Sequence, residues 1–182
     1  MKLRVHATLR QSRANGPGTR YVIWVQGCTL GCPGCFNPAT HPSAPGEEME
    51  VEAIAREVRG LPVDGVTVSG GEPFEQPEAL LELVSALAGT SIIVFSGFTR
   101  AEIERMPLGP AILARLDVLV DGRYVEKRRI ARGLRGSANQ VVHLLSSRHR
   151  MADVEATPVG EVVIGPDGEL RMSGVDPVGV PK

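Results

Sequence analysis

The chain has 182 residues, of which 42% are hydrophobic, and this is enough for one compact domain with a sizeable core. Its 20 basic and 21 acidic residues leave a formal net charge of −1, so the composition gives no general attraction to nucleic acid or to a membrane surface. Polar and apolar residues alternate over positions 1–6, and no apolar run is long enough to cross a bilayer. We therefore expect a soluble cytoplasmic protein.

Strand and helix signals alternate along the chain. Runs rich in β-branched and other apolar residues predict strands at residues 21–25, 65–68, 91–95, 117–120 and 140–145. Helical periodicity predicts helices at residues 47–59, 77–87, 99–105 and 111–115. Because strands that alternate with helices usually form a parallel sheet with helical crossovers, the predicted fold class is α/β.

Three further signals complete this outline. Thr99 is placed to cap the third helix, with Glu102 at the capping-box position. The basic residues from 123 to 136 predict a loop, and residues 161–172 predict a hairpin around Pro166-Asp167-Gly168. We expect a single domain over residues 1–182, with its core at about 19–146 and the hairpin as an extension at about 154–175.

Unusual sequence follows each of the first four predicted strands. These segments are Gly27-Cys28 with the loop after it, Ser69-Gly70-Gly71-Glu72-Pro73, Ser96-Gly97 and Asp121-Gly122. Parallel α/β folds form their active sites at the carboxyl ends of the strands. Any one segment could be an ordinary turn, but four at one rim predict a site.

The three cysteines of the chain, Cys28, Cys32 and Cys35, form a C-x3-C-x2-C pattern. A disulfide framework would pair its cysteines and spread them out, so this cluster indicates metal or redox chemistry. A four-iron cluster usually takes four thiolates, and here one iron would lack a protein ligand. An open metal position is typical of a catalytic centre rather than a structural one.

A structural zinc site with His41 as fourth ligand is the alternative interpretation of the same loop. The ligand types and the spacing of Cys32 and Cys35 suit zinc, although this alternative leaves the glycine-rich strand ends unexplained. A third interpretation is three buried core thiols, but the cysteines have glycine and proline neighbours rather than apolar ones.

The cysteine loop followed by Ser-Gly-Gly-Glu-Pro resembles the radical S-adenosylmethionine enzymes. The resemblance implies a partial, open TIM-type barrel and a [4Fe-4S] cluster held by the three cysteines. It also implies that the open iron binds the amino and carboxylate groups of S-adenosylmethionine, while the Gly-Gly-Glu segment lines the pocket for the amino group. An electron from the cluster then cleaves the sulfonium and releases a 5′-deoxyadenosyl radical that abstracts hydrogen.

Further segments resemble the activating proteins of anaerobic ribonucleotide reductase. They are residues 32–38, 96–99, 119–124 and 134–140. This resemblance, over roughly residues 19–174, implies that the protein makes a glycyl radical on a large partner, anaerobic ribonucleoside-triphosphate reductase. It also implies an electron donor such as flavodoxin or ferredoxin. The lack of more cysteines excludes additional ferredoxin-like clusters.

The resemblance carries a set of cofactor-binding residues onto this chain. They are Gly34, Cys35, Phe36, Ser69, Gly70, Gly71, Glu72, Ser96 and Asp121. Many radical enzymes have an aromatic residue just before the third cysteine; here that residue is Gly34, and Phe36 is the candidate for adenine stacking. A bulky residue at Gly71 is expected to leave the cluster intact but to weaken S-adenosylmethionine binding. No catalytic residue beyond the cluster and cofactor is expected, because hydrogen abstraction needs no general acid or base.

Several assignments stay open on sequence alone. Asp121 could contact the ribose, a cation or the substrate backbone, or could form a turn before Gly122. Ser96 and Gly97 could contact the cofactor or form a tight turn. The basic residues from 123 to 135 could dock an acidic partner or be a solvated surface. A radical enzyme that modifies a peptide or a metabolite, and a zinc-stabilised binding module without catalysis, are the alternative functions.

Overall fold

A computed structural model of the chain describes residues 1–165 and 168–176. In this part of the chain the strands are β1 (Lys2–Ser12), β2 (Arg20–Val25), β3 (Glu47–Glu50), β4 (Gly65–Gly70), β5 (Ser91–Phe95), β6 (Val118–Asp121), β7 (Arg129–Arg132), β8 (Arg135–Ser137), β9 (Val141–Leu144), β10 (Glu161–Ile164) and β11 (Leu170–Ser173). The α-helices are α1 (Val51–Arg59), α2 (Pro77–Ala86), α3 (Arg100–Ile103), α4 (Gly109–Leu113) and α5 (Met151–Glu155).

The central sheet has the strand order β3-β1-β2-β4-β5-β6-β9. Its four middle strands, β2, β4, β5 and β6, are parallel, whereas β1, β3 and β9 pair antiparallel at the two sides. The sheet ends in β3 and β9 and does not close on itself. The prediction of an α/β fold with an open, partial barrel is therefore confirmed, with the parallel pairing confined to the middle of the sheet.

Burial on both faces explains the apolar runs of the parallel strands. Val22, Ile23, Val66 and Val68 are all fully buried, as expected for parallel strands that are covered on both faces. On α1, the predicted apolar stripe packs into the same core, and its members are Val51, Ile54, Ala55 and Val58. The strand and helix predictions in this part of the chain agree with the structure to within a few residues.

The N-terminal side of the sheet differs from the prediction. The predicted helix over residues 47–59 begins only at Val51, because residues Glu47–Glu50 form β3 and pair with β1. Pairing with an existing strand therefore overrides the helical preference of this segment. The strand β1 itself, Lys2–Ser12, was not predicted, because charged residues interrupt its apolar pattern.

The basic segment after β6 was predicted to be a loop and is instead a small hairpin of β7 and β8. The turn between its strands contains Gly133 and Leu134, both with positive φ, and Leu134 is buried. Charged side chains on the exposed strand β7 conceal the strand signal, since strands are normally recognised by buried apolar residues.

Two local predictions are confirmed. The Thr99 side chain accepts from the Glu102 amide while the Glu102 carboxylate accepts from the Thr99 amide, which is the predicted capping box at the start of α3. The C-terminal hairpin exists as β10 and β11. Its predicted turn residues Pro166 and Asp167 lie outside the described residues.

A buried arginine connects the amino ends of the parallel strands, at the opposite end of β2 from the cysteine loop. The guanidinium of Arg20 donates to Thr67 Oγ1 over 3.2 Å and to Ser91 Oγ over 2.9 Å, and also to the carbonyl oxygens of Val66 and Ser91. Burial lowers the pKa of Arg20 to about 10, so the group stays charged at neutral pH. This network fastens β2, β4 and β5 together away from the cysteines.

Candidate metal and cofactor site

The carboxyl ends of the parallel strands open into a cavity of about 810 Å³. Its wall contains most of the residues that were singled out from the sequence, namely Cys28, Cys32, Cys35, Phe36, Ser69, Gly70, Gly71, Glu72, Ser96, Gly97 and Gly122. The four strand-end segments therefore lie around one cavity, as expected from their positions after successive parallel strands.

The cysteine loop is held by bonds of its own. The Gly27 amide donates to Thr40 O over 2.8 Å and the Cys28 amide to His41 O over 3.0 Å, so the loop begins and ends side by side. Glu75, which follows the Gly-Gly-Glu segment, accepts from the Thr29 hydroxyl over 2.6 Å. These contacts fix the backbone on which the cysteines sit.

The three thiols are free and partly buried. Burial raises the pKa values of Cys28 and Cys35, whereas backbone N–H groups directed at the sulfur atoms lower them. One such donor is the Asn37 amide, 3.4 Å from Cys35 Sγ. Amides of this kind stabilise a sulfur that carries negative charge, as it does when it ligates a metal. Loading a cluster here must therefore release protons from the thiols.

Single-ion binding has no support in the described part of the chain. His41 lines the cavity together with the cysteines. Nevertheless, among residues 1–165 and 168–176 no group of three or more His, Cys, Asp or Glu side chains converges closely enough to hold one metal ion. A zinc site needs its ligands around a single ion, whereas a multi-iron cluster distributes its thiolates over separate iron atoms.

Glu72 is fully buried in the wall of the cavity and joins two strand-end loops. Its Oε1 accepts from Phe74 N and from Ser96 Oγ, both over 2.9 Å, and its Oε2 accepts from Gly97 N over 2.8 Å. Both carboxylate oxygens are thus engaged with the protein. Gly97 in turn packs against Leu30 of the cysteine loop. The sequence pointed to Glu72 as a contact for an ammonium group. The structure adds that Glu72 joins its own segment to the loop at Ser96 and Gly97, which packs against the cysteine loop.

Burial raises the pKa of Glu72 to about 7, well above its ordinary value of 4.5. Between these two pH values the unfolded chain ionises Glu72 while the folded chain keeps the proton, so the free energy of unfolding should fall as the pH rises. We expect a fall of about 3 kcal/mol that is absent from Glu72→Gln. Urea unfolding of the metal-free protein measures this, and an identical pH dependence in both proteins would contradict it.

Gly70 and Gly71 are required by backbone packing. A Cβ at Gly71 would lie 2.2 Å from the carbonyl oxygen of Gly27, and a Cβ at Gly70 would lie 2.6 Å from Val25 N. The Gly71 amide also donates to Val25 O over 2.8 Å. The two glycines therefore bring the end of β4 directly against the residues that lead into the cysteine loop. Ser69, just before them, is partly exposed to the cavity.

Phe36 lies at the edge of the cavity within a small aromatic and cationic cluster. Its ring centroid is 4.4 Å from that of Tyr124, and the Arg129 guanidinium carbon lies 5.2 Å from it. Gly136 allows this packing, because a Cβ there would lie 2.5 Å from the Phe36 ring. Gly34 lies outside the cavity wall and faces the side chain of Glu126 instead.

Asp121 points away from the cavity. Its carboxylate accepts from the Arg100 amide at the start of α3, and His143 Nε2 lies 3.0 Å from the same oxygen. Asp121 borders a separate shallow groove beside α3. The structure thus brings Gly34 and Asp121 close to the site without placing either in its wall.

The sequence marked residues 134–140 only by their resemblance to a motif, and the structure shows what their side chains bind. Gln140 accepts from Gly136 N over 2.8 Å and donates to Gly122 O over 3.0 Å. Asn139 donates to Arg123 O over 2.7 Å. These side chains fasten β8 to the loop after β6, which carries Gly122 into the cavity wall. Polar residues that bind distant backbone give no periodic signal, so only the motif marked them.

Other parts of the cavity wall were missed. They come from β1 and β2, with His6, Ala7, Thr8, Leu9 and Trp24, and from the C-terminal hairpin, with Arg171, Met172 and Ser173. These residues do not follow the parallel strands, so their positions depend on how the edge strand and the hairpin fold back over the sheet.

Comparison with known proteins identifies the family of the chain. The family model described as "4Fe-4S single cluster domain" matches residues 14–143, which is most of the chain. The class of protein is therefore that of small domains with one four-iron cluster.

Curated relatives narrow the family. A protein of Vibrio cholerae is 37% identical over 143 residues, covering 71% of this chain and 90% of its own length. One of Escherichia coli K12 is 32% identical, covering 72% and 92%, and one of phage T4 is 30% identical, covering 69% and 84%. All three are named anaerobic ribonucleoside-triphosphate reductase-activating protein. The chain belongs to this family of radical S-adenosylmethionine proteins, which confirms the resemblance drawn from its motifs.

A crystal structure of QueE from Escherichia coli is similar at a TM-score of 0.49 and 19% identity, over 54% of each chain. We draw no conclusion from a similarity of this size. No helix among the described residues has the length and apolar character needed to cross a membrane.

Proposed function

We propose that this protein cleaves S-adenosylmethionine reductively at a [4Fe-4S] cluster and uses the product to form a glycyl radical on an anaerobic ribonucleoside-triphosphate reductase. The observation that carries the proposal is one cavity walled by three cysteines and the Gly-Gly-Glu segment, in a chain whose relatives activate that reductase by name.

Cys28, Cys32 and Cys35 would hold the cluster, leaving one iron for the cofactor. The donor set fits, because all three thiols are free, line the cavity and sit on a loop anchored by internal hydrogen bonds. When bound, the cluster supplies the electron that splits the cofactor into methionine and an adenosyl fragment, and this fragment takes a hydrogen atom from the glycine.

The segment Ser69–Glu72 and residues Ser96 and Gly97 would bind the cofactor beside the cluster. Gly70 and Gly71 have no side chains, so the backbone of this segment can pack directly against the start of the cysteine loop. Glu72 holds the loop at Ser96 and Gly97 through its two carboxylate oxygens. The polar wall can then orient the amino and carboxylate groups of the methionine part. Phe36 at the edge is the candidate for contact with adenine.

The protein's own residues position the cofactor and the substrate glycine and exclude water, since hydrogen-atom transfer requires no acid or base at the substrate. We propose a single domain, a cytoplasmic location where thiols stay reduced, and an electron donor such as flavodoxin or ferredoxin. The large partner must deliver a glycine to a cavity that is open at the rim.

Anaerobically reconstituted protein tests the proposal. We expect bound iron and sulfide, a paramagnetic resonance signal of the reduced cluster that changes when S-adenosylmethionine is added, and a glycyl radical signal when the reductase encoded in the same genome is included. Zinc without sulfide, or a cluster that ignores the cofactor, would overturn the proposal. Cofactor cleavage without a glycyl radical would point to a peptide or metabolite as substrate instead.

A further inference from the structure

The C-terminal hairpin, β10 and β11, is anchored beside the cavity at its base. The Arg13 amide donates to Glu161 Oε2 over 2.9 Å. In a buried contact, Asn15 Nδ2 donates to Ser173 Oγ. Both anchors belong to the segment that joins β1 to β2, and Met172 next to Ser173 lines the cavity. The hairpin is therefore part of the cavity wall.

One edge of β11 carries main-chain groups that have no partner in the described part of the chain. At the tip of the hairpin the Gly165 amide donates to Glu169 O over 2.8 Å. Because hydrogen-bonded and non-hydrogen-bonded pairs alternate along an antiparallel ladder, the pairs that contain Leu170 and Met172 are non-hydrogen-bonded. The N–H and C=O groups of these two residues consequently point away from β10.

These outward groups have no other partner within residues 1–165 and 168–176. The edge they form is continuous with the cavity, since Met172 belongs to both. A row of free donors and acceptors at the side of a cavity is a template for one more strand.

A glycine substrate poses a particular recognition problem, because it has no side chain to bind. An enzyme can place its α-carbon only by holding the main chain on either side, and a strand edge does this through alternating donors and acceptors. Resting on the proposed function, we propose that the free edge of β11 at Leu170 and Met172 binds the extended, glycine-bearing segment of the partner reductase as an added strand. The glycine is thereby directed into the cavity.

The side chains of the hairpin suit such a contact. Four apolar residues share one of its faces and are largely exposed, at 47% for Val162, 70% for Ile164, 65% for Leu170 and 49% for Met172. An added strand would place its own alternate side chains along this face. The hairpin also lies beyond residues 14–143, the part matched by the family model, so it is an addition to the core of the site.

Proline substitution tests the edge without removing the hairpin. Met172→Pro deletes an N–H that points outward, so the pairing between β10 and β11 keeps its hydrogen bonds. We expect about fivefold to tenfold weaker binding of the purified reductase encoded in the same genome, and a matching loss of glycyl radical at limiting reductase. Calorimetry measures the affinity for the reductase, and paramagnetic resonance measures the amount of glycyl radical.

Val162→Pro is the matched control. Val162 pairs with Met172 and occupies the equivalent outward position on β10, away from the cavity. It should leave reductase binding within about twofold of the original protein. If Met172→Pro and Val162→Pro both bound the reductase as tightly as the original protein, the proposal would be overturned. It would also be overturned if both variants bound more weakly to the same extent, because the hairpin would then act only as a folded unit. If the original protein formed dimers that Met172→Pro did not, and reductase binding were intact, the proposal would be overturned and the edge assigned to a second copy of this chain.

Different results contradict the proposed function and the strand-edge contact. If the original protein neither binds nor activates the reductase, the proposed function fails. If it does both and Met172→Pro binds as well as Val162→Pro, the function stands and the strand-edge inference is wrong. Amide hydrogen exchange at Arg171, whose N–H points toward β10, shows that the hairpin is intact in each variant.

Discussion

Replacing Cys32 with alanine is expected to eliminate both the cluster and all cleavage of S-adenosylmethionine. With three cysteines in the whole chain, no other thiol can take the place of a lost ligand. The remaining two thiolates would leave the cluster with two open irons, and the metal would be lost during reconstitution. Iron and sulfide content, the absorbance of the cluster and the yield of 5′-deoxyadenosine are the measurements.

Pro33→Ala is the control for this variant, because Pro33 is exposed in the same loop and carries no ligand atom. It should retain the cluster and most of the cleavage. Circular dichroism should show the same secondary structure for both variants, since the core lies in the strands and helices below the loop. A Cys32→Ala protein that still cleaved the cofactor would end the assignment of this ligand.

Gly71→Ala is expected to damage the cluster as well as the cofactor pocket. The added Cβ would lie 2.2 Å from the Gly27 carbonyl oxygen, which is backbone and cannot swing aside. Either the Gly-Gly-Glu segment or the start of the cysteine loop must move, at a cost of about 1–3 kcal/mol. The sequence alone predicted weaker cofactor binding with an unchanged cluster; the contact with Gly27, next to Cys28, changes that expectation.

Gly60→Ala provides the comparison. Gly60 ends α1 with a φ of −85°, and a Cβ there would meet its nearest neighbour at 3.5 Å, an ordinary contact. Its free energy of unfolding, cluster content and affinity for S-adenosylmethionine should therefore all stay close to those of the original protein. If Gly71→Ala bound iron normally and lost only the cofactor, the cysteine loop would have to be independent of the Gly-Gly-Glu segment.

The middle of the fold could be predicted because local signals and burial agree there. Strands such as β4 and β5 are rich in buried apolar residues and alternate with amphipathic helices. The edges could not be predicted in the same way. For β1 and β3, the strand state depends on pairing between residues 2–5 and 47–50, which are far apart in sequence and mostly charged or exposed.

The candidate site, too, could be predicted from the sequence in part. Residues directly after parallel strands, such as Cys28, Gly71 and Ser96, could be expected at one rim from topology alone. Glu72 was found, but its two hydrogen bonds to the neighbouring loop at Ser96 and Gly97 were not, because they depend on side-chain direction. The contribution of Met172 required knowing where the hairpin folds.

The separation between the Arg20 network and the cysteine loop has a consequence for the protein when its cluster is absent. In small zinc proteins, metal binding and folding are one event, so loss of the metal unfolds the chain. Here the strands are fastened at their other end by Arg20, and the loop has its own bonds through Thr40, His41 and Glu75. We therefore expect the metal-free protein to keep its fold, so that a lost cluster could be rebuilt in place without refolding the chain.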